Sequence, residues 1–72
     1  MLIGKLRYNF DNNRYALWDG DDCIHPGFHC GEPLDVLMGD SWVGTRFETD
    51  MSGEWYLVGM PDMSISGLTA RI

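Results

Sequence analysis

Hydrophobic and polar side chains alternate along residues 5–10, which places Leu6, Tyr8 and Phe10 on one face of an extended chain. This period of two is typical of a half-buried strand. Residues 11–13, with the sequence Asp-Asn-Asn, favour a turn because their side chains hydrogen-bond to nearby backbone. Residues 14–18 alternate again, with apolar groups on both faces. We therefore predict a hairpin over residues 1–18, whose second strand is covered on both sides.

The second half of the chain carries four further strand signatures. They lie at residues 33–38, 42–48, 54–60 and 68–72. Gly39 and Asp40 form a two-residue connection suited to a hairpin turn, and residues 50–53 form a second turn. Pro61 and Asp62 end the third of these strands, and the stretch 63–66 that follows has room for one helical turn.

The long stretch at residues 19–31 has no hydrophobic period and is punctuated by three glycines and a proline, so we predict a loop there. No window of the chain holds a helical period over eleven residues. Five or six short strands separated by turns favour an all-β fold, a small and mostly antiparallel barrel. A single domain spans residues 1–72 in this prediction, and residues 32–72 supply the core barrel strands.

The order of elements after residue 53 resembles the distal half of an SH3-like barrel, because a strand, a connection, a short turn and a final strand follow one another. A closer resemblance rests on Phe28-His29-Cys30-Gly31-Glu32, Trp42-Val43-Gly44-Thr45-Arg46-Phe47-Glu48, Trp55-Tyr56-Leu57-Val58-Gly59 and Gly67-Leu68-Thr69-Ala70-Arg71-Ile72. These segments resemble a family of small bacterial proteins of unknown function, found chiefly in Gram-positive bacteria and their mobile elements. That family has a proline at Gly44 and an aliphatic residue at Phe47. The resemblance implies a compact, cytoplasmic, non-enzymatic β-barrel and supplies no site residues.

Acidic residues dominate the charge of the chain, with 11 Asp and Glu against 5 Lys and Arg and a net charge of −6. Residues 1–18 carry a local charge of +2, whereas residues 19–72 carry −8. Nucleic-acid backbones are bound through Lys and Arg that neutralise phosphates, so this balance argues against a nucleic-acid partner. A chain of 72 residues has little room for an enclosed site. We therefore predict no enzymatic activity and no cofactor.

The sequence contains no stretch that is apolar enough for a signal peptide or a membrane span. It therefore predicts a cytoplasmic protein without membrane attachment, in which Cys23 and Cys30 are free thiols. A core of this size is marginal, so a second copy could cover its remaining apolar surface. The sequence leaves a monomer and a homodimer both open.

Four metal-ligand residue types, Cys23, His25, His29 and Cys30, lie within eight residues. Their spacing does not match the two separated pairs of a structural zinc site, and adjacent residues seldom face one metal. The sequence therefore favours Cys30 as a small buried hydrophobe at a strand entry. A metal site at the four residues stays open as an alternative, as does a thiol at Cys30 activated by His25 or His29.

Aromatic side chains give the remaining candidate chemistry. Trp42 lies on the same predicted face as Arg46, and Trp55 and Tyr56 point to opposite sides of their strand. Tryptophan and arginine are enriched where proteins bind one another. We therefore predict a protein-interaction module that binds an extended segment in a groove between Trp42 and Trp55, or along an exposed strand edge.

The acidic surface of residues 19–72 supports another alternative, in which the protein is a decoy for a basic DNA-binding protein. Such a complex would be held by charge, so its affinity would fall steeply with added salt. Asp19, Asp21 and Asp22 also resemble the start of a calcium loop, but Cys30 stands where the loop's bidentate Glu would be. We therefore interpret these three residues as a solvated acidic turn.

Overall fold

Seven short antiparallel strands make up the fold of the computed structural model, which describes residues 1–60 and 63–72. They are β1 (Ile3–Asn9), β2 (Arg14–Asp19), β3 (Asp22–His25), β4 (Pro33–Met38), β5 (Ser41–Thr49), β6 (Trp55–Leu57) and β7 (Thr69–Arg71). They form one sheet in the order β3-β2-β1-β7-β4-β5-β6. The predicted all-β, antiparallel fold is confirmed, with seven strands where five or six were expected.

The predicted N-terminal hairpin is confirmed by the pairing of β1 with β2, in which Leu6 lies opposite Leu17. Its turn is built by asparagine side chains. The Asn12 side-chain oxygen accepts the backbone N–H of Arg14, and Asn13 adopts a positive φ of 56°. Asparagine tolerates this left-handed conformation better than most residues, which is why the turn falls here.

The structure overturns the prediction of an unbroken loop over residues 19–31, because β3 lies inside it and pairs with β2. Gly20, with a φ of 59°, makes the tight turn between the two strands. The register then shifts between Leu17 and Trp18, so the pairing is irregular. A four-residue strand with a shifted register has too few positions to show a clear period of two.

The predicted hairpin of β4 and β5 is confirmed, with Val36 opposite Val43 and a tight turn at Gly39. The next strand is shorter than the predicted 54–60, because β6 ends at Leu57 and Gly59 turns the chain with a φ of 81°. The expected connection at Pro61 and Asp62 lies outside the described residues.

No helical turn forms at residues 63–66, where the chain runs through bends and turns. The last strand, β7, does not lie at a sheet edge but fits between β1 and β4. It pairs Ala70 with Gly4 on one side and with Val36 on the other. The C-terminal strand therefore joins the two hairpins. Over the described parts of the chain, no helix is long and apolar enough to cross a membrane.

The inner face of the sheet carries the core. Its buried residues are Leu6, Leu17, Phe28, Leu34, Val36, Phe47, Leu57, Ile65 and Ala70. Tyr15 of β2 stacks on Phe47 of β5 with ring centroids 5.7 Å apart, although three strands separate β2 from β5 in the sheet. Adjacent strands lie about 4.8 Å apart, so a flat sheet would hold these rings much farther apart. The sheet is therefore curled around its core, and β3 and β6 remain as unpaired edges in the described chain.

Candidate functional site

The two histidines of the candidate metal cluster converge on a carboxylate and not on the cysteines. His25 Nε2 lies 2.7 Å from one oxygen of Glu32, and the other oxygen accepts the backbone N–H of His29 at 3.0 Å. The His29 ring is 3.6 Å from that second oxygen. Across residues 1–60 and 63–72, no group of three His, Cys, Asp or Glu side chains has an arrangement that could hold a metal ion.

Both cysteines are exposed and neither forms a disulfide. The expectation of a buried Cys30 is wrong, because the chain turns at Gly31 with a φ of 84° before β4 begins. The Cys30 sulfur lies 3.4 Å from the Thr49 hydroxyl. The structure therefore pairs this thiol with a hydroxyl, while His25 and His29 are hydrogen-bonded to Glu32.

Glu32 fastens the end of β3 to the start of β4, a role that the sequence did not predict. Partial burial raises the pKa of its carboxyl, but hydrogen bonds from the His29 backbone and from His25 lower it by more, so the pKa lies below 4.5. A carboxyl whose pKa is lower in the folded than in the unfolded chain stabilises the fold above pH 4.5. That contribution is lost as the pH falls through the folded-state pKa.

We expect Glu32→Gln to lower the free energy of unfolding at pH 7 by about 1 kcal/mol, the usual net contribution of a hydrogen bond. The wild-type carboxyl becomes protonated as the pH falls through its lowered pKa, so the difference between the two proteins should shrink at acid pH. Urea unfolding at pH 7 and at an acid pH at which the carboxyl is protonated measures it. Asp40→Asn, which removes an exposed carboxylate in the β4–β5 turn, is the charge-matched control. A Glu32→Gln effect of equal size at both pH values would contradict the assignment.

Three of the four predicted partner-binding residues lie on the outer face of the sheet. Trp42 and Arg46 alternate with the inward-facing positions of β5, and Tyr56 pairs across from Glu48 on the same face. The fourth residue, Trp55, pairs with Thr49 and packs inward against Phe47, with ring centroids 6.0 Å apart.

The predicted groove between Trp42 and Trp55 does not exist. The two indoles occupy opposite faces of the sheet. Trp42 lies seven positions along β5 from Thr49, the residue that pairs with Trp55, which is about 23 Å of extended chain. The face of Trp42 was predicted correctly, but the register of β6 was not available from the sequence.

The outer face instead contains a groove across β4, β5 and β7, which we call the outer groove. Its volume is about 710 Å³, and its walls include Glu32, Pro33, Asp35, Gly44, Arg46 and Arg71. Gly44 lies opposite Asp35 and contributes no side chain, so the surface is concave at this point. Ile72 also lines the groove, and its side chain is more than a third exposed.

The two arginines of the outer groove are each paired with a carboxylate. Arg71 donates to Asp35 at 2.9 Å and lies over the Trp42 ring at 4.3 Å, while Arg46 donates to Glu48 at 3.0 Å. Cation–π contacts and ion pairs of this kind hold long side chains in place. Arg71, which lines the groove, therefore also holds the neighbouring Trp42 indole in place, and the groove offers little unpaired charge.

A second concavity lies at the tips of the β1–β2 and β5–β6 hairpins. It has a volume of about 250 Å³ and is lined by Tyr8, Tyr15, Gly53, Glu54 and Trp55. We call it the aromatic pocket. The Trp55 indole N–H donates to the backbone oxygen of Asn13 at 3.0 Å, which joins the two hairpin tips. Three rings and one carboxylate therefore surround this space.

Comparison with known proteins adds a family and a solved relative. A family model described as a domain of unknown function, DUF5348, matches residues 4–72. The crystal structure of a protein from Ruminococcus gnavus is similar over 99% of this chain and 100% of its own, with 36% identity and a TM-score of 0.84. No curated protein matches the chain.

Proposed function

This chain belongs to the DUF5348 family of domains of unknown function, and we propose that it is a non-catalytic protein-interaction module that binds an extended segment of a partner in the outer groove. The observation that carries this proposal is Gly44, which leaves a gap in the side chains of the outer face beside a fixed Trp42. Protein interfaces favour Trp and Arg as anchors in such places.

The paired charges of the outer groove indicate what kind of contact it makes. Because Arg71 and Arg46 are already bound to Asp35 and Glu48, a partner gains little by presenting charge. The apolar surfaces of Trp42 and Ile72 remain for contact with side chains of the partner. We infer a segment with apolar side chains, whose affinity depends weakly on salt.

Two features of the structure support the predicted cytoplasmic location and the predicted SH3-like fold. The exposed, unbridged thiols of Cys23 and Cys30 favour a reducing compartment, which supports a cytoplasmic location. The curled antiparallel sheet supports the SH3-like assignment, and grooves on SH3 domains take extended peptides.

Filling the groove tests the proposal. A Cβ at Gly44 would meet only the Asp35 side chain, at 3.4 Å, and Gly44 lies within a strand, so Gly44→Ile should fold normally. We expect peptides selected from a random 12-residue phage library on the wild-type chain to bind Gly44→Ile at least ten-fold more weakly. Titration calorimetry with the synthetic peptides measures the affinities.

The control for this experiment is Glu54→Gln, which changes the aromatic pocket and leaves the outer groove intact. Peptides that bind the outer groove should keep their affinity for this variant and should lose it for Trp42→Ala. Selected peptides that bind Gly44→Ile as tightly as wild type would refute the proposal, and so would a library that yields no binder.

A further inference from the structure

The aromatic pocket has a chemistry different from that of the outer groove. Tyr8, Tyr15 and Trp55 supply three aromatic walls, and Glu54 supplies a carboxylate. The face of an aromatic ring is electronegative, so a ring attracts a cation placed over it. A carboxylate beside such rings attracts the same charge.

The Glu54 carboxylate is available for an ion pair. Its side chain is exposed, and it forms no salt bridge within the part of the chain that the structure describes. The neighbouring Asp50 is committed to the turn, since its carboxylate accepts the Ser52 hydroxyl and the backbone N–H groups of Ser52 and Glu54. These hydrogen bonds, the Ser52 hydroxyl first among them, lower the pKa of Asp50. Asp50 therefore stays ionised beside the pocket and adds to its negative field.

One side chain of the protein already makes the contact that the pocket favours. The Arg14 guanidinium lies over the Trp55 ring at 5.7 Å and donates to the backbone oxygen of Phe28 at 3.1 Å. Trp55 is thus oriented by a cation and by its own bond to Asn13. The walls of the pocket are preorganised for a ligand.

Two exposed apolar side chains lie at the tips of the hairpins that form the aromatic pocket. Phe10 is 82% exposed and packs edge-on against Tyr8, with ring centroids 4.9 Å apart. Met51, in the β5–β6 turn beside Gly53, is fully exposed. A partner that enters the pocket could therefore also contact these two apolar side chains.

We propose that the aromatic pocket binds the side chain of a lysine or arginine presented by a partner protein. Its volume of about 250 Å³ is below the roughly 300–1,000 Å³ of pockets for drug-sized ligands, and it suits one side chain. The ammonium or guanidinium group faces Glu54, and the aliphatic stem lies against the rings of Tyr8 and Trp55. The net charge of −6 draws such a partner toward the chain.

This inference does not rest on the outer groove, which lies on the opposite face of the sheet from the inward-packing Trp55. The two sites also differ in their response to salt. Binding at the aromatic pocket is led by charge and should weaken as sodium chloride is raised, whereas binding in the outer groove should change little. If binding fails at one of the two sites, the proposal for the other site can still be tested.

Nuclear magnetic resonance titration of the ¹⁵N-labelled chain tests the proposal. The probes are N-acetyl-lysine methylamide and N-acetyl-arginine methylamide, with N-acetyl-norleucine methylamide as the uncharged control at constant ionic strength. We expect the two cationic probes to shift the amide signals of Gly53 and Glu54 and the indole signal of Trp55. Glu54→Gln should weaken their binding about five-fold, as expected for an exposed ion pair worth about 1 kcal/mol.

The matched control is Asp40→Asn, which removes the same charge at the turn at the far end of β5 and should leave the affinity unchanged. Tyr8→Leu removes an aromatic wall without touching the carboxylate, and it should also weaken binding. Equal shifts with the norleucine probe would overturn the proposal. Equal weakening by Asp40→Asn and Glu54→Gln would overturn it too, because the attraction would then belong to the diffuse acidic surface.

Discussion

Replacing Phe47 with alanine is expected to lower the stability of the protein severely. The Phe47 side chain is completely buried and contacts the rings of Tyr15, Phe28 and Trp55. Truncating a buried phenylalanine to alanine costs about 3–5 kcal/mol. A domain of 72 residues has a total stability of about 4–11 kcal/mol at 0.05–0.15 kcal/mol per residue. The substitution therefore removes a large share of it.

Urea unfolding followed by circular dichroism measures this loss. Urea m-values for small domains are about 1 kcal/mol per molar, so the midpoint should fall by about 3 M or more. Phe10→Ala is the control, because Phe10 is 82% exposed and its loss should change the stability by less than about 0.5 kcal/mol. A Phe47→Ala midpoint within 1 M of the wild type would contradict the packing described here.

Phe47 also links the core to the aromatic pocket. The rings of Tyr15 and Trp55, which line the pocket, rest on it at centroid distances of 5.7 and 6.0 Å. Its backbone accepts the N–H of Gly31 and donates to the oxygen of Glu32, which places the start of β4. A large substitution at Phe47 would therefore change both the stability of the fold and the shape of the aromatic pocket. Binding is therefore better tested at Glu54 and Tyr8, which lie outside the buried core.

The hairpins could be predicted from the sequence because β1 and β4, one strand of each hairpin, have a single buried face. In β1 and β4, the residues Leu6, Leu34 and Val36 are buried while their neighbours are more exposed. Hydrophobic residues at every second position in the sequence indicate such a strand directly. Asn13 and Gly39, which carry positive φ, mark the turns between those strands. Local patterns therefore carry this part of the fold.

Strand β3 and the role of Glu32 could not be predicted, because both depend on contacts between distant parts of the chain. The period of β3 is hidden by the register shift opposite Leu17 and Trp18. The side chain of Glu32 meets His25 only once β3 has paired with β2 and the chain has turned at Gly31. A single glutamate after Cys30 gives no signal of that contact.

The candidate binding surfaces were predicted in part. Alternation along β5 correctly placed Trp42 and Arg46 on one face, and the opposition of Trp55 to Tyr56 was also correct. The sequence could not say that Trp55 packs inward at the far end of β5. That placement follows from the turn at residues 50–53, which aligns Thr49 with Trp55. The aromatic pocket needs residues from two hairpins and has no sequence motif.

Gly4→Ala is expected to destabilise the protein almost as strongly as Phe47→Ala, although it adds a single methyl group. An added Cβ at Gly4 would overlap the backbone oxygen of Trp18 and would lie 2.8 Å from its carbonyl carbon. These are backbone atoms of the neighbouring strand, so no side chain can rotate away. Relief requires β1 and β2 to separate beside the pair formed by Lys5 and Trp18. Overpacking a well-packed interior costs about 1–3 kcal/mol and occasionally more, and we expect about 3 kcal/mol here.

Gly44→Ala is the matched control for this prediction, because it adds the same methyl group to a strand where only the Asp35 side chain lies near, at 3.4 Å. Alanine restricts the unfolded chain more than glycine, so this variant should be as stable as wild type or up to about 1 kcal/mol more stable. The urea midpoints of the two variants should therefore differ by about 3 M at an m-value of about 1 kcal/mol per molar. Equal midpoints would show that β1 and β2 approach each other less closely at Gly4 than described. A wide difference would establish that a glycine within the first strand, and not only those in turns, is required for the close approach of β1 to the backbone of β2.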